Sequence, residues 1–386
     1  MTKKILDWLF LGLILAILTA GLLRTVLRPR DVNTYENRYA EKLPAFTAAS
    51  FLDGSFQDGV DAALADQVHL AQYCKKLYNT VSSAYLRTAT ELLVPRDSGR
   101  YVNYDGTMMF GDSLVYTSTY LPWVTPAMDA RAELYNALFA AHPELEFSVF
   151  YVERDSDVNM ETGEKPGTKE YLFERIALPE ERKAAFEINS YAEFSAYYYR
   201  TDHHWSCDGS YLAYTEVLEL LNVTEEPVSR GEKAAVGTMS GSKAKGSASG
   251  FSETFYATPY AFPEMEITIN GAPAADYGRQ SAVLSAPGGS VNYASFYGGD
   301  DGEIVFSTGT EGRGKLLVLG ESYDNAILKL LASHFDEVYS VDLRYYEHYM
   351  GELFRLGEYT AARGIDRVLL IGCIDYFFQP TFAPED

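Results

Sequence analysis

The chain has 386 residues, 47% of them hydrophobic, enough to close one large core or two smaller ones and too apolar for a disordered protein. Its formal charge of -22 would repel a phosphate backbone, and no dense run of Lys or Arg offsets it, so no nucleic-acid partner is expected. Cys74, Cys207 and Cys373 are far apart and odd in number, which argues against a disulfide framework and against a structural zinc site.

After Lys3 and Lys4 an uncharged apolar run covers 8–23 and stops at Arg24. It is longer than the core of a signal peptide and close to the length of a single span, and Leu18-Thr19-Ala20 is a poor cleavage site. The expectation is an uncleaved signal-anchor over 1–30, a single-pass transmembrane helix with the N-terminus inside and the large domain outside the cell. Residues 31–95 follow as a helical stalk: Val60, Leu64, Val68 and Leu70 recur at helical intervals, predicting a helix over 55–93 that bends near 80.

From residue 96 to 386 the pattern becomes one of alternating elements. An amphipathic helix is predicted over 127–141 and a strand over 146–152, then Asp202-His203-His204-Trp205 and a helix over 208–221. The Gly/Ser/Lys-rich stretch 237–250 reads as a loop, within a loop-and-strand excursion from the main sheet at about 225–312. The C-terminal part then reads strand 315–319, helix 325–334, strand 337–343, helix 349–363 and strand 367–371. Strands made of continuous Val/Leu/Ile runs between helices imply a mostly parallel sheet covered on both faces, a three-layer α/β fold.

Ligands bind beyond the carboxyl ends of such strands, and Ser322 lies just past the 315–319 strand, where helix N–H groups could stabilise an oxyanion. A serine hydroxyl needs a base, and the base needs an orienting acceptor. Only six histidines occur in the chain, two of them adjacent and beside Asp202. In an extended segment Asp202 and His204 point to the same side, so the carboxylate can hold one ring nitrogen while the other faces Ser322. Three alternatives stay open: Ser322 as a helix N-cap, the Asp202-His203-His204 cluster as a structural feature, and a metal site on both imidazoles. The metal geometry is awkward if adjacent residues of a strand face opposite ways. The 30 tyrosines suit sugar surfaces, although most will be core or half-buried sheet residues.

These motifs resemble the DHHW proteins, relatives of the alginate O-acetyltransferase-like proteins of the SGNH hydrolase superfamily. The resemblance runs through Glu36-Asn37-Arg38, Tyr199 to Trp205, the Gly/Ser loop, Leu316 to Tyr323 and Val341 to Tyr345. It implies a three-layer, SGNH-hydrolase-like (flavodoxin-like) domain with Ser322 as nucleophile, His204 as general base and Asp202 as its orienter. It also implies Arg344 as a cation contacting substrate or transition state, against an ordinary ion pair with Asp342 or another acid. Trp205 and Tyr323 flank the chemistry as candidate sugar-stacking rings, with core packing as the alternative. The chain departs from the common pattern at Glu321, where an aspartate often precedes the serine.

The resulting expectation is an extracytoplasmic O-acetyltransferase or O-acetylesterase acting on a cell-envelope polysaccharide through a Ser-His-Asp triad, with no cofactor and no metal required. A transferase would need an acetyl donor, and a membrane acyl-export partner could supply it. The competing reading is a noncatalytic glycan-binding or envelope-assembly protein that keeps the cleft without turnover.

Overall fold

The computed structural model describes residues 2–27, 29, 32–33, 38–52, 54–68, 107–246 and 251–379, with scattered positions between 73 and 88. The chain divides into a smaller unit built mainly from Met1–Arg96 and a larger one holding Gly106–Ala244 and Gly250–Asp386.

In the smaller unit Thr2–Leu27 is one helix, along which Trp8 and Phe10 are exposed. Among the described residues, however, no helix is long and apolar enough to cross a membrane, so the expected transmembrane anchor is not supported. The predicted 55–93 helix is a continuous helix only over Ser55–Gln67. Its last turn is tied down from upstream: Asp66 accepts the Glu41 N–H at 2.9 Å, and Gln67 Nε2 donates to the Glu41 carbonyl at 2.9 Å. Much of 69–93 lies outside the described residues, the predicted bend near 80 included.

The larger unit is built on an eight-stranded sheet. Its strands are β1 (Glu146–Val152), β2 (Lys183–Phe186), β3 (Glu266–Ile269), β4 (Ala272–Ala274), β5 (Glu303–Ser307), β6 (Lys315–Leu319), β7 (Glu337–Val341) and β8 (Arg367–Gly372). Their order across the sheet is β4-β3-β5-β7-β6-β8-β1-β2. From β7 through β2 all neighbours are parallel, while β5, β3 and β4 add on antiparallel. The expected excursion at 225–312 therefore divides: Ala234–Met239 and Glu253–Ala257 pair as a separate hairpin, but β3 to β5 join the main sheet.

The apolar runs are buried on both sides, as period-2 alternation requires. Leu316 and Val318 of β6 pack in one core with Tyr214 and Val217 of the Cys207–Leu220 helix. Leu317 and Leu319 pack in the other with Met128 and Tyr135 of the Leu121–Ala141 helix and Tyr359 of the Leu356–Arg363 helix. These are the three layers. The Leu121–Ala141 helix starts six residues before the predicted 127 and runs through Pro126. Proline cannot donate to the carbonyl one turn back, and Thr125 Oγ1 donates to that Pro122 carbonyl instead, at 3.4 Å. The predicted 349–363 helix is broken at Gly351, whose φ of 74° ends the Tyr346–Met350 turn in the left-handed region.

Candidate functional site

The chain leaves β6 and turns one way to β7, then crosses back over β6 to reach β8. Such a reversal opens a crevice at the carboxyl end of the central strand, and Ser322 stands there. Gly320 permits the tight exit, because a Cβ on it would meet Asp324 Oδ2 at 2.2 Å. The buried Glu321 accepts the Cys373 N–H at 2.9 Å, fastening the turn to the end of β8. The predicted 325–334 helix is instead a 3-10 turn, Asp324–Ala326, followed by the five-residue helix Leu328–Ala332. Ser322 is not the N-cap of either, and the helix dipole expected behind it is correspondingly short.

Asp202 and His204 come from a loop closed by the Tyr198 to Trp205 bridge. Glu253 shapes it, accepting the Thr201 N–H at 2.7 Å, the Thr201 hydroxyl at 2.6 Å and the Arg200 N–H at 3.1 Å. The loop is not extended. Asp202 Oδ1 reaches His204 through a local turn, accepting its N–H at 3.1 Å and lying 2.6 Å from its Nδ1. His204 Nε2 lies 2.8 Å from Ser322 Oγ. Asp202, His204 and Ser322 thus form one continuous line of hydrogen bonds, drawn from positions 118 residues apart.

Two residues that the sequence did not single out hold this line. The Ser242 N–H donates to Asp202 Oδ2 at 2.7 Å, and its hydroxyl lies 2.6 Å from His203 Nδ1. Tyr293 stacks flat on His204, with centroids 3.7 Å apart and planes at 3°. His203 also lies against His204, at 3.8 Å and 37°. Two rings cannot share one face at that separation, so His203 and Tyr293 sandwich the imidazole and confine it to one plane. Nothing local could reveal Tyr293 among 30 tyrosines, and Ser242 belongs to a stretch whose composition says only loop.

Burial alone would raise the Asp202 carboxyl, but the facing His204, the nearby His203 and the Ser242 N–H hold it well below the usual carboxylate range. Asp202 is therefore an anion aimed at Nδ1, which makes Nδ1 the donor and leaves Nε2 free to accept from Ser322. Burial, and then the neighbouring His204 imidazole, push His203 well below the usual imidazole range, outweighing the pull of Asp202.

The other expected site residues are placed differently. Trp205 and Tyr323 are fully buried and pack edge to face at 5.2 Å, so neither offers a face to a sugar. They brace the loop from beneath, and the Tyr323 hydroxyl donates to the His203 carbonyl at 2.5 Å. Arg344 is engaged by acids: its Nη2 lies 2.5 Å from Asp342 Oδ2 and 3.2 Å from Asp300 Oδ2. This is the ion-pair alternative to the expected role as a cation contacting substrate or transition state. Burial raises the Asp342 carboxyl to about 6 despite Arg344. The adjacent histidines do not face opposite ways either. Among the described residues Asp202, His203 and His204 are the group whose ligand atoms could hold a metal, all within 4.8 Å of one another. Metal ligation through His204 would compete with its bonds to Asp202 and Ser322.

A match to the DHHW protein family spans residues 169–341, covering the Asp202–His204 loop and Ser322. Over that stretch the chain is similar to the DHHW proteins, the family its Asp202-His203-His204-Trp205 motif resembles. No curated protein sequence matches it. Among solved structures it is similar to PatB1 of Bacillus cereus, recorded with a sulfonyl adduct, at 18% identity and TM-score 0.55, over 74% of this chain and 100% of that one. A DHHW family protein from Eubacterium siraeum superposes with TM-score 0.52 at 17% identity, over 73% of this chain and 95% of the other. The O-acetyltransferase domain of Pseudomonas putida AlgJ overlaps more loosely, with TM-score 0.38 at 12% identity over 73% and 92% of the two chains. At these identities the likeness is one of fold: a mixed α/β domain around a large central sheet.

Proposed function

We propose that this protein is an acyl-transfer enzyme, an O-acetyltransferase or O-acetylesterase with Ser322 as nucleophile, His204 as general base and Asp202 as its orienter. The observation that carries the reading is the unbroken line from Ser322 Oγ to His204 Nε2 at 2.8 Å and from His204 Nδ1 to Asp202 Oδ1 at 2.6 Å. Ser322 Oγ attacks the acyl carbon while its proton passes to Nε2, and the ionised Asp202 stabilises the imidazolium through the Nδ1–H. Collapse of the tetrahedral adduct breaks the ester bond, and the leaving oxygen takes the proton back from Nε2. The acyl-serine then passes its acyl group to a sugar hydroxyl or to water, with His204 removing the acceptor's proton. The flat face of Tyr293 favours the charged ring through cation–π attraction.

A cell-envelope glycan as substrate and a location outside the cytoplasm belong to the same proposal, supported by the likeness to the DHHW proteins. The test uses a small acetyl ester and a sulfonyl fluoride. The intact chain is expected to hydrolyse the ester and to gain one sulfonyl group, and Ser322→Ala to lose both, with a rate fall on the order of 10³-fold or more. Equal rates in the two proteins would refute it.

A further inference from the structure

Trp123 is 82% exposed and Tyr120 58% exposed, their rings 5.2 Å apart at 75°. Both sit at the start of the Leu121–Ala141 helix, where packing does not require a large aromatic surface in water. The segment just before them in the chain lines a cavity of about 210 Å³, whose wall mixes hydroxyls and an amide (Thr117, Ser118, Asn159) with apolar surface (Phe110, Met160). Alternating polar and apolar contact over a flat ring is what the edges and faces of a sugar require.

The cavity lies at the catalytic end of the sheet. β1 and β6 both run parallel to β8, so the segment following Val152 emerges on the same side as Ser322. That segment takes hold of the aromatic stretch: the Thr119 N–H donates to the Ser156 carbonyl at 2.7 Å, and the Tyr116 N–H donates to Asp155 Oδ2 at 2.6 Å. Lys243 closes the path, its Nζ 2.6 Å from Asp155 and 5.1 Å from the Tyr116 ring that lines the cavity. Its neighbour Ser242 touches both Asp202 and His203.

Charge selects the class of sugar. No Lys or Arg lines the cavity, Glu161 does, and the whole chain carries -22. The nearest cations among the described residues, Lys243 and Arg154 against the Tyr116 ring, are paired with Asp155 and Asp375, so a uronate or phosphate polymer would meet the Glu161 carboxylate with no unpaired cation in the described wall to offset it.

We propose that Trp123, Tyr120 and this cavity form a subsite for a neutral glycan, which holds the polymer a few sugars away from the one presented to Ser322. The inference deepens the acyl-transfer reading and rests on it for the substrate, but binding can be measured without turnover. Full-length Ser322→Ala is titrated calorimetrically with the hexamer of N-acetylglucosamine, as a neutral probe, and with oligogalacturonate, as an anionic one. The neutral hexamer is expected to bind, and adding Trp123→Ala to weaken it about tenfold, with a smaller loss for Tyr120→Ala. Equal binding with and without Trp123 would overturn the proposal, as would oligogalacturonate binding as tightly as the neutral hexamer. Failure of both sugars, with Trp123-dependent retention on phosphatidylglycerol vesicles, would assign the pair to a membrane surface instead. A chain that binds the hexamer through Trp123 but hydrolyses no ester would keep this inference and refute the enzyme.

Discussion

Lys243→Met tests how the site is held. Lys243 and Asp155 are both fully buried, with Nζ 2.6 Å from Oδ2, and Asp155 Oδ1 has no hydrogen-bond partner of its own. Removing the ammonium leaves a buried carboxylate that keeps the Tyr116 N–H and the more distant Arg154 charge but loses its paired cation, and breaking such a pair costs about 3–5 kcal/mol. For a unit of this size that is a fall in Tm on the order of 5–10 °C. The damage should also reach catalysis, because Lys243 anchors the turn whose Ser242 N–H fixes Asp202 Oδ2 at 2.7 Å. The double variant Lys243→Met with Asp155→Leu removes both charges and leaves only the Tyr116 N–H unsatisfied, a loss of roughly 1–3 kcal/mol. It should therefore melt above either single variant. Thermal and urea denaturation followed by circular dichroism give the stabilities, and small-ester turnover gives kcat. Additive single effects, or a Lys243→Met protein that melts with the wild type, would refute the account of a coupled buried pair.

Tyr293→Leu should lower small-ester kcat several-fold while Tyr293→Phe, which keeps the stacked face, stays near wild type, since that face contributes about 0.5–2 kcal/mol and the hydroxyl points to the Tyr323 carbonyl at 3.3 Å, away from the imidazole; equal losses in both would assign the effect to the hydroxyl and refute the role of the ring face. Asp202 has a depressed folded-state pKa, so its stabilisation is full above the unfolded value of about 3.9 and is lost as pH falls through the folded one. The stability gap between wild type and Asp202→Asn, read by urea titration, should hold from neutral pH down to about 4 and close only below it. Burial, with Glu219 and Glu187 nearby, raises Glu216 to about 7. Its stabilising share is present below the unfolded value of about 4.3 and is lost as pH rises through the folded one. Glu216→Gln should therefore gain more Tm over wild type at pH 8 than at pH 5, and a gain independent of pH would contradict this.

The C-terminal alternation was legible because each of its strands is a continuous apolar run, and β6, β7 and β8 lie within two residues of the predicted ranges. The helices between them were read less well. Apolar periodicity does not register a left-handed break such as Gly351, nor the hydroxyl of Thr125 that lets a helix run through Pro126. The antiparallel edge formed by β3 to β5 was missed for a related reason: those strands are short, separated by Gly and Pro, and gain their place only by pairing with β7.

By itself the sequence determined which functional groups this protein has to work with, an Asp-x-His pair two residues apart and a serine at the end of a buried strand, together with the layered class of the domain. Periodicity and spacing are local quantities, and they survive in any fold. Only the tertiary structure decided that Ser322 meets His204, that Tyr293 and His203 clasp the imidazole, that Arg344 is spent on Asp342 and Asp300, and that Trp205 is covered while Trp123 is bare. Each of these depends on which distant segments the packed core brings to the same end of the sheet, and the desolvation and hydrogen bonding that set a side chain's role exist only after that packing.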